Sequence, residues 1–405
     1  MSRMISPTLG QCVCMLFCLV ILVKAEDSGV NITIVDNAVA TGAVYVCFTL
    51  LPHEYTAVCP DGSPPAYHFD KGAGDGANSW LVHLEGGAWC ESTQSCVGRM
   101  KQALGSSIIM EKMYNFSGIL DGRKELNPEF HDWNRIFVRY CDGSSFTGDV
   151  EEVDPATNLH FRGARIFQAV MQELLGKGMN NASNALLTGC SAGGLASILH
   201  CDNFRELMPA TARVKCASDA GFFLHAKDYA GGNRSEDLFY KVVQLHRSAA
   251  NLPPSCTSKM EPTLCFYPQY VVPQIQTPLF ILNSAFDTYQ IQHILTPRPA
   301  DDPGLSFQRC SLNYEKCSPR QTIALKGFGL EFIITLARLG TCSSRGLFIN
   351  SCFAHCQSTD GKKWYGDVAE KLGNKAMAKA LGDWYHDRSG FQQIDFKHDL
   401  PQSCT

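Results

Sequence analysis

The chain has 405 residues, of which 45% are hydrophobic, and a formal net charge of −4 at pH 7. The apolar content is enough for one large buried core, and the acidic balance argues against a nucleic-acid-binding protein. No Pro/Ser-rich linker, charge run or repeat divides the sequence. We therefore predict a single domain over residues 26–405.

The N-terminus has the features of a secretory signal. Arg3 gives a positive start, and the apolar run from Cys12 to Val23 is too short to span a bilayer as a helix. Ala25 is a small residue of the kind found before a cleavage site, which predicts a signal peptide over residues 1–25. No later segment is long and apolar enough for a membrane anchor.

The cysteine content also indicates export. The chain has 19 cysteines, and those beyond the signal are spread from Cys47 to Cys404, which is typical of disulfides formed in an oxidising compartment. Alternatively, Cys352, His355 and Cys356 could be the ligands of a zinc ion. No second close Cys/His pair completes a set of four ligands, so we favour disulfides.

Short apolar runs alternate with helical patterns, which is typical of a mostly parallel sheet flanked by helices. The predicted strands cover, in chain order, residues 80–84, 135–140, 184–188, 214–217, 279–282 and 346–350. Helices are predicted over 164–175 and 195–207, with a surface helix over 368–381. Ligands of such sheets bind at the carboxyl ends of the strands, where the candidate residues below are found.

The segment Gly189-Cys-Ser-Ala-Gly193 follows a predicted strand and begins a predicted helix. This G-x-S-x-G pattern in that context is the signature of a nucleophile elbow, a turn so sharp that small residues must flank the serine. An ordinary serine in a Gly-rich turn is the alternative. We predict an α/β-hydrolase-like fold in which Ser191 is the catalytic nucleophile.

A serine hydroxyl needs a base to accept its proton, and in this fold the chain order is serine, acid, histidine. Asp287 follows the strand over 279–282, and His355 follows the last predicted strand. Asp219 also follows a strand and is the alternative acid. We prefer Asp287 because it comes after the later strand.

Two other histidines are weaker candidates for the base. His200 lies nine residues beyond Ser191 on the predicted helix, roughly 13 Å away at the rise of an α-helix. His293 is expected on the surface of a loop.

The oxyanion of an ester hydrolase requires backbone N–H groups that are fixed in advance. One donor should be the N–H of Ala192, which directly follows the nucleophile. The others should come from a Gly-rich turn after an early strand. The turn Glu85-Gly-Gly-Ala-Trp89 occupies that position, so Gly87 and Ala88 are the predicted donors.

Five motifs in a fixed order resemble the plant pectin acetylesterase family, which is related to Notum-type carboxylesterases. They are Leu84-Glu-Gly-Gly-Ala-Trp-Cys90, Tyr140-Cys-Asp-Gly-Ser-Ser-Phe-Thr-Gly-Asp149, Gly189-Cys-Ser-Ala-Gly-Gly194, Asn283-Ser-Ala-Phe-Asp-Thr-Tyr289 and Cys352-Phe-Ala-His-Cys356. The resemblance implies the same triad and oxyanion residues as chosen above. It also implies a secreted cell-wall enzyme that removes acetyl groups from pectin without a metal or cofactor, and we expect a monomer.

The sequence departs from the family pattern at residues 45–56. We interpret this segment, which contains Cys47, as an insertion. Among the remaining cysteines, Cys90 and Cys96 are close enough to predict a pair. Cys190 lies inside the nucleophile turn, where a bridge is expected to be difficult to fit. We therefore predict a buried free thiol at Cys190 and up to seven disulfides among the others.

Substrate contacts are expected from residues near the ends of the central strands. Trp89, Tyr140 and Phe146 could stack on sugar rings, and Arg139 and Arg99 could bind the carboxylates of galacturonan. The same aromatic residues could line a deep apolar pocket, so a Notum-like lipid-acyl protein deacylase is the second hypothesis. A non-catalytic binding protein with this fold is the third, and the intact triad argues against it.

Deleting residues 45–56 should preserve or improve folding, because a segment without a counterpart in the family is not expected to make core contacts. Secreted yield and thermal unfolding of the deletion variant would test this. A misfolded product would show that the segment belongs to the structure.

Overall fold

Twelve strands are found in the part of the chain described by the computed structural model, namely residues 29–35, 38, 56–340 and 342–404. They are β1 (Gly29–Ile34), β2 (Ala66–Asp70), β3 (Ser79–Leu84), β4 (Met113–Asn115), β5 (Asn134–Val138), β6 (Asn184–Gly189), β7 (Arg213–Asp219), β8 (Leu279–Ser284), β9 (Arg345–Asn350), β10 (Lys371–Leu372), β11 (Lys375–Ala376) and β12 (Gln392–Ile394). The predicted signal peptide and residues 45–55 of the predicted insertion, including Cys47, lie outside the described residues.

Ten of these strands form one sheet in the order β12-β9-β8-β7-β6-β3-β5-β2-β1-β4. The neighbours from β12 to β5 are parallel, whereas β2, β1 and β4 add antiparallel pairs at one edge. The mostly parallel sheet predicted from the sequence is confirmed, and each of the six predicted strands is present in it. Parallel pairing directs the carboxyl ends of β6, β8 and β9 to the same edge of the sheet.

The helices connect these strands and cover both faces of the sheet. They are α1 (Thr93–Arg99), α2 (Gly163–Gly176), α3 (Ala192–Leu199), α4 (Cys201–Leu207), α5 (Arg234–Leu245), α6 (Pro254–Thr257), α7 (Pro268–Val271), α8 (Thr288–Gln290), α9 (Ser306–Leu312), α10 (Pro319–Ala337), α11 (Gly361–Trp364) and α12 (Met377–Tyr385). Short 3-10 turns and a π-helical turn (Ile291–Leu295) complete the connections. None of the described helices is long and apolar enough to span a bilayer.

The two cores follow from the alternation of side chains along the strands. In β3, Trp80, Val82 and Leu84 belong to the larger core, and Leu81 belongs to the core on the opposite face. Both faces of the central strands are therefore buried, which explains why these strands read as continuous apolar runs in the sequence.

The prediction of a surface helix over 368–381 is wrong in two respects, because the helix begins later and is buried. The strands β10 and β11 form a hairpin whose two turn residues, Gly373 and Asn374, both have positive φ. Such a two-residue turn favours a hairpin over a helix. The helix begins only at Met377 and packs against the second core, where Met377 and Leu381 are buried. The helix predicted over 195–207 is present but is divided into α3 and α4 at His200.

The described residues contain seven disulfides, the number that the sequence predicted as a maximum. The cysteines that take part differ from the predicted ones at Cys190. The expected Cys90–Cys96 pair is confirmed, whereas the predicted free thiol at Cys190 is wrong because Cys190 is bonded to Cys356. Cys342 is the free cysteine of the described chain. The remaining pairs are Cys59–Cys141, Cys201–Cys216, Cys256–Cys265, Cys310–Cys317 and Cys352–Cys404.

Candidate active site

Ser191 lies in a sharp turn between β6 and α3. Its backbone has φ 59° and ψ −124°, a conformation that is costly for a residue with a side chain. Glycine is required around it, since a Cβ atom on Gly86 would come within 2.7 Å of the Ser191 Cβ. A Cβ atom on Gly189 would lie 2.3 Å from the carbonyl oxygen of Gly193. The strand, the turn and the small neighbours that the G-x-S-x-G pattern implies are all present.

His355 follows β9 and forms a hydrogen bond with Asp287, which follows β8. The distance from His355 Nδ1 to Asp287 Oδ2 is 2.7 Å, and since a carboxylate can only accept, Nδ1 is the donor. The other carboxylate oxygen of Asp287 accepts from the backbone N–H of Gln290 at 2.9 Å. Asp287 is therefore fixed by α8, and Nε2 of His355 is left available for proton transfer.

The electrostatic surroundings favour the charged form of His355. Burial by itself lowers the pKa of His355, but the charge of Asp287, its hydrogen bond and the charge of Asp219 together raise that pKa above its ordinary value of 6.5. A base of this kind is stabilised as it becomes protonated, as required during attack by a serine hydroxyl.

Asp219, the alternative acid, does not form a hydrogen bond with His355, whose described carboxylate partner is Asp287. Its Oδ2 accepts from the backbone N–H groups of Gln357 and Ser358 at 2.7 and 2.6 Å. The carboxyl is fully buried, and burial raises its pKa. Asp219 thus fixes the backbone just after His355, while Asp287 contacts the imidazole itself.

The Cys190–Cys356 disulfide joins the residue before Ser191 to the residue after His355. Their Cα atoms are 5.6 Å apart, within the usual range for a disulfide. The crowding that led us to predict a free thiol affects the glycines of the turn, whereas Cys190 points toward the loop after β9. A covalent bond therefore links the turn that contains Ser191 to the loop that contains His355.

The turn after β3, which is predicted to bind the oxyanion, contains two residues with positive φ. Gly87 has φ 152° and Ala88 has φ 55°. The carbonyl of Gly87, which shares a peptide plane with the N–H of Ala88, accepts from Arg99 Nη1 at 2.8 Å. The carbonyl of Ala88 accepts from the hydroxyl of Tyr140 at 2.9 Å. These bonds fix the orientation of the turn before any substrate arrives.

Ser145 connects this turn to the start of α3. Its hydroxyl accepts from Trp89 Nε1 and donates to the carbonyl of Ala192, both at 2.8 Å. Its own N–H donates to the Tyr140 hydroxyl at 2.9 Å. No role was predicted for Ser145, although it lies inside one of the five motifs.

A cavity of about 380 Å³, which we call the catalytic cavity, lies over the carboxyl ends of β3 and β6. Ser191, His355, Gly87 and Ala88 all line it. The other lining residues are His83, Glu85, Gly86, Tyr114, Phe137, Cys190, Tyr289, Cys356 and Thr359. The fold therefore brings a strained serine, a carboxylate-bound histidine and a Gly-rich turn to one cavity.

A family model described as pectinacetylesterase matches residues 23–405. The chain belongs to the pectinacetylesterase family. Pectin acetylesterase 7 of Arabidopsis thaliana is 53% identical over 88% of this chain and 91% of its own length, and pectin acetylesterase 11 of the same plant is 50% identical over 90% of each. The family and the ester-hydrolase activity expected from the five motifs are confirmed.

The fold has a counterpart among solved structures. The Wnt deacylase Notum from Drosophila superposes with a TM-score of 0.74 over 93% of this chain and 100% of that chain, at 24% sequence identity. At this identity the likeness concerns the fold, and the α/β-hydrolase-like fold predicted from the sequence is confirmed.

Four residues that were expected to contact substrate in this pectinacetylesterase are instead buried, and their bonds are to other parts of the protein. Tyr140 and Phe146 have no exposed surface, and Arg139 is 5% exposed and forms an ion pair with Glu85 at 2.9 Å. Arg99 is 9% exposed and donates a hydrogen bond to the carbonyl of Gly87 in the turn after β3. These four expectations are wrong, because buried side chains cannot reach a polysaccharide.

Trp89 also differs from the expected stacking platform. It is 7% exposed, and the rings of Phe223 and Phe239 meet it edge-on at centroid distances of 5.0 and 4.9 Å. The Trp89 ring is therefore packed among aromatic side chains, and its small exposed part lines a neighbouring cavity. The sequence favoured exposure because aromatic residues at strand ends often bind sugars, and only the packing of α5 and the loop after β7 covers this ring.

The rival histidines and the zinc alternative have structural explanations. His200 is buried, bonds the carbonyl of Phe146 at 3.0 Å and stacks on Phe167. His293 is half-buried against Tyr289 rather than lying on a loop surface. Cys352 and Cys356 are both in disulfides, so neither supplies the thiolate that zinc requires.

The disulfide between the two catalytic loops can be tested by replacing both Cys190 and Cys356 with serine. We expect kcat to fall roughly 10- to 100-fold, because displacement of the histidine relative to the serine by about 1 Å can have that effect. Stability should decrease by about 2–5 kcal/mol, as for other native disulfides. Both can be measured on the secreted protein by ester hydrolysis and urea unfolding.

The matched control replaces Cys310 and Cys317, which form a disulfide outside the catalytic cavity. Its loss should reduce stability but leave kcat close to that of the wild type. Equal losses of kcat in both double variants would contradict a specific role for the Cys190–Cys356 bond.

The acid can be identified from the pH dependence of activity. We expect kcat/KM to fall as the pH decreases through the pKa of His355, above 6.5, because only the neutral imidazole can accept a proton. Asp287→Asn removes the charge that raises this pKa, so the acid limb should move to lower pH and kcat should fall by roughly 10⁴-fold. Asp219→Asn should have a much smaller effect on kcat. The reverse ranking would assign the acid to Asp219.

Proposed function

We propose that this chain is a secreted pectin acetylesterase that hydrolyses acetyl esters of galacturonan through an acyl-enzyme on Ser191. The observation that carries the proposal is the 2.7 Å bond between His355 and Asp287, on the loops after β9 and β8, beside the same cavity as the strained serine. The names of the Arabidopsis relatives support pectin as the substrate.

In the first half of the reaction, the Ser191 hydroxyl attacks the acetyl carbonyl while Nε2 of His355 accepts its proton. Asp287 stabilises the imidazolium and keeps the ring in the required tautomer. The N–H groups of Gly87, Ala88 and Ala192 would bind the oxyanion of the tetrahedral intermediate. The intermediate collapses when His355 returns the proton to the departing sugar oxygen, which leaves an acetyl-serine.

In the second half, a water molecule takes the place of the sugar hydroxyl. His355 accepts a proton from this water as it attacks the acetyl-serine, and a second oxyanion forms at the same donors. Its collapse returns the proton to the serine oxygen and releases acetate. Serine, histidine and aspartate thus regain their starting states with no other reactant than water.

The shape of the site supports a small acyl group on a large alcohol. The aromatic cluster around Trp89 is packed ring against ring, with Tyr289 6.1 Å from Trp89, beside the oxyanion turn. The catalytic cavity contains both polar side chains, such as Glu85 and Thr359, and rings, such as Tyr114. The polar groups of these walls could form hydrogen bonds with sugar hydroxyls, which a fatty chain lacks. Notum1' of Xenopus laevis, named a palmitoleoyl-protein carboxylesterase, is 28% identical to this chain, well below the Arabidopsis enzymes.

Secretion to the cell wall is part of the proposal. Seven disulfides in the described chain suit an oxidising compartment. The sequence contains four Asn-x-Ser/Thr triplets, the pattern at which N-glycans are attached. Their asparagines are all exposed, as attachment of a glycan requires, and these are Asn31, Asn115, Asn181 and Asn233. A monomer that acts on a polysaccharide, without nucleic acid or membrane partners, remains our prediction.

Ser191→Ala should abolish acetate release from acetylated pectin while secretion and thermal unfolding stay unchanged, because the triad members act as a unit. Acetate released from pectin and from acetylated xylan, and palmitoleate released from a palmitoleoylated peptide, would be measured for both proteins. Wild-type preference for the palmitoleoylated peptide would favour the Notum-like alternative. Pectin turnover above a few per cent in the variant would contradict the assignment of Ser191.

A further inference from the structure

A second cavity, which we call the basic pocket, adjoins the catalytic cavity. It has a volume of about 290 Å³ and is lined by side chains of α5, of the segment after Asp287 and of the segment after β3, which contributes Trp89 and Glu91. Its charged residues are Arg234, Lys241, Arg298, Glu91 and Asp237. Three cations in one pocket are notable in a chain whose net charge is −4.

The cations of the basic pocket are only partly neutralised. Arg298 forms an ion pair with Asp237. Arg234 is half-buried and donates to backbone carbonyls, at 2.7 Å to Thr296 and 3.3 Å to Pro297, and no described carboxylate lies within ion-pair distance of it. Lys241 is exposed and forms no ion pair with any described residue.

Among the residues that line the basic pocket, the positive charges outnumber the negative ones. Once the Arg298–Asp237 pair is set aside, Arg234, Lys241 and Glu91 remain, and Asp228, which does not line the pocket, also attracts Arg234. Lys241 can move its ammonium group without losing an existing ion pair, and a free cation at the mouth of a pocket attracts an anionic ligand.

Tyr289 connects the basic pocket to the catalytic cavity, because it lines both. Its ring lies 5.4 Å from the ring of His355 and 4.3 Å from the ring of His293, a residue of the basic pocket. A ligand anchored at the basic pocket would thus be one aromatic ring away from the proposed base.

We propose that the basic pocket binds the carboxylate of a uronate sugar in the same polymer chain as the acetylated sugar at Ser191. This inference rests on the proposed function, and it assigns the recognition of the anionic polymer to Lys241 and Arg234. Arg139 and Arg99 are buried and cannot perform this task. A charge-assisted hydrogen bond from Lys241 to a carboxylate would add affinity for the polymer without touching the ester.

The proposal predicts a dependence on the methyl-esterification of the substrate. A methyl ester removes the negative charge of the uronate carboxylate but leaves the sugar backbone and the acetyl group intact. The wild-type enzyme should therefore have a lower KM for acetylated galacturonan oligomers with free carboxylates than for the same oligomers after full methyl-esterification. High salt should reduce this difference, because exposed charge contacts are screened.

The experiment compares Lys241→Gln and Lys241→Glu with the wild type on both oligomers. For the free-acid oligomer we expect KM to rise about tenfold in Lys241→Gln and further in Lys241→Glu, as for loss of a hydrogen bond to a charged group. For the methyl-esterified oligomer the rise should be much smaller. Lys124→Gln is the matched control, because Lys124 is an exposed lysine outside both cavities.

Two results would overturn the inference while leaving the proposed function intact. One is an unchanged KM for the free-acid oligomer in both Lys241 variants, and the other is an equal rise in KM for both oligomers. Failure of the wild type to release acetate from either oligomer would instead contradict the proposed function. Arg234→Gln provides a second variant, with thermal unfolding measured alongside, because Arg234 also bonds the backbone after the π-helical turn.

Discussion

The strained turn at Ser191 is the constraint on which the rest of the site depends. A residue with φ near 59° between β6 and α3 leaves no space beneath it, so Gly86, Gly189 and Gly193 stand where any side chain would collide with backbone. The same close approach brings the turn after β3 next to the serine. The strain suits the role proposed for Ser191, because the turn places this serine at a cavity that Gly87 and Ala88 also line.

The loop that carries His355 is fixed at three points, each of a different kind. A covalent bond from Cys356 to Cys190 limits its distance from the nucleophile, the carboxylate of Asp219 accepts two of its backbone N–H groups, and Asp287 bonds the imidazole. Loops are ordinarily the most mobile parts of a fold, and triad geometry tolerates little displacement. The position of the histidine is therefore set by the tertiary structure around it and not by the loop alone.

Positive charge near the active site serves two separate purposes. Arg99 and Arg139 are buried and bond the oxyanion turn and Glu85, so they stabilise the architecture. Lys241 is exposed and unpaired among the described residues, so its charge remains available to a ligand. Sequence position alone cannot separate these cases, since all three stand in or near elements that approach the catalytic cavity.

Local patterns in the chain predict the parallel strands and the sharp turn at Ser191, and chain order predicts a serine, an acid and a histidine in that succession, because none of these depends on distant contacts. The bond of His355 to Asp287 and not to Asp219, the pairing of Cys190 with Cys356 and the burial of Trp89 and Arg139 appear only in the folded chain. Each of these is a contact between segments far apart in the chain. Which side chain meets which across two loops depends on how the strands and helices pack, and a linear pattern carries no information about that packing.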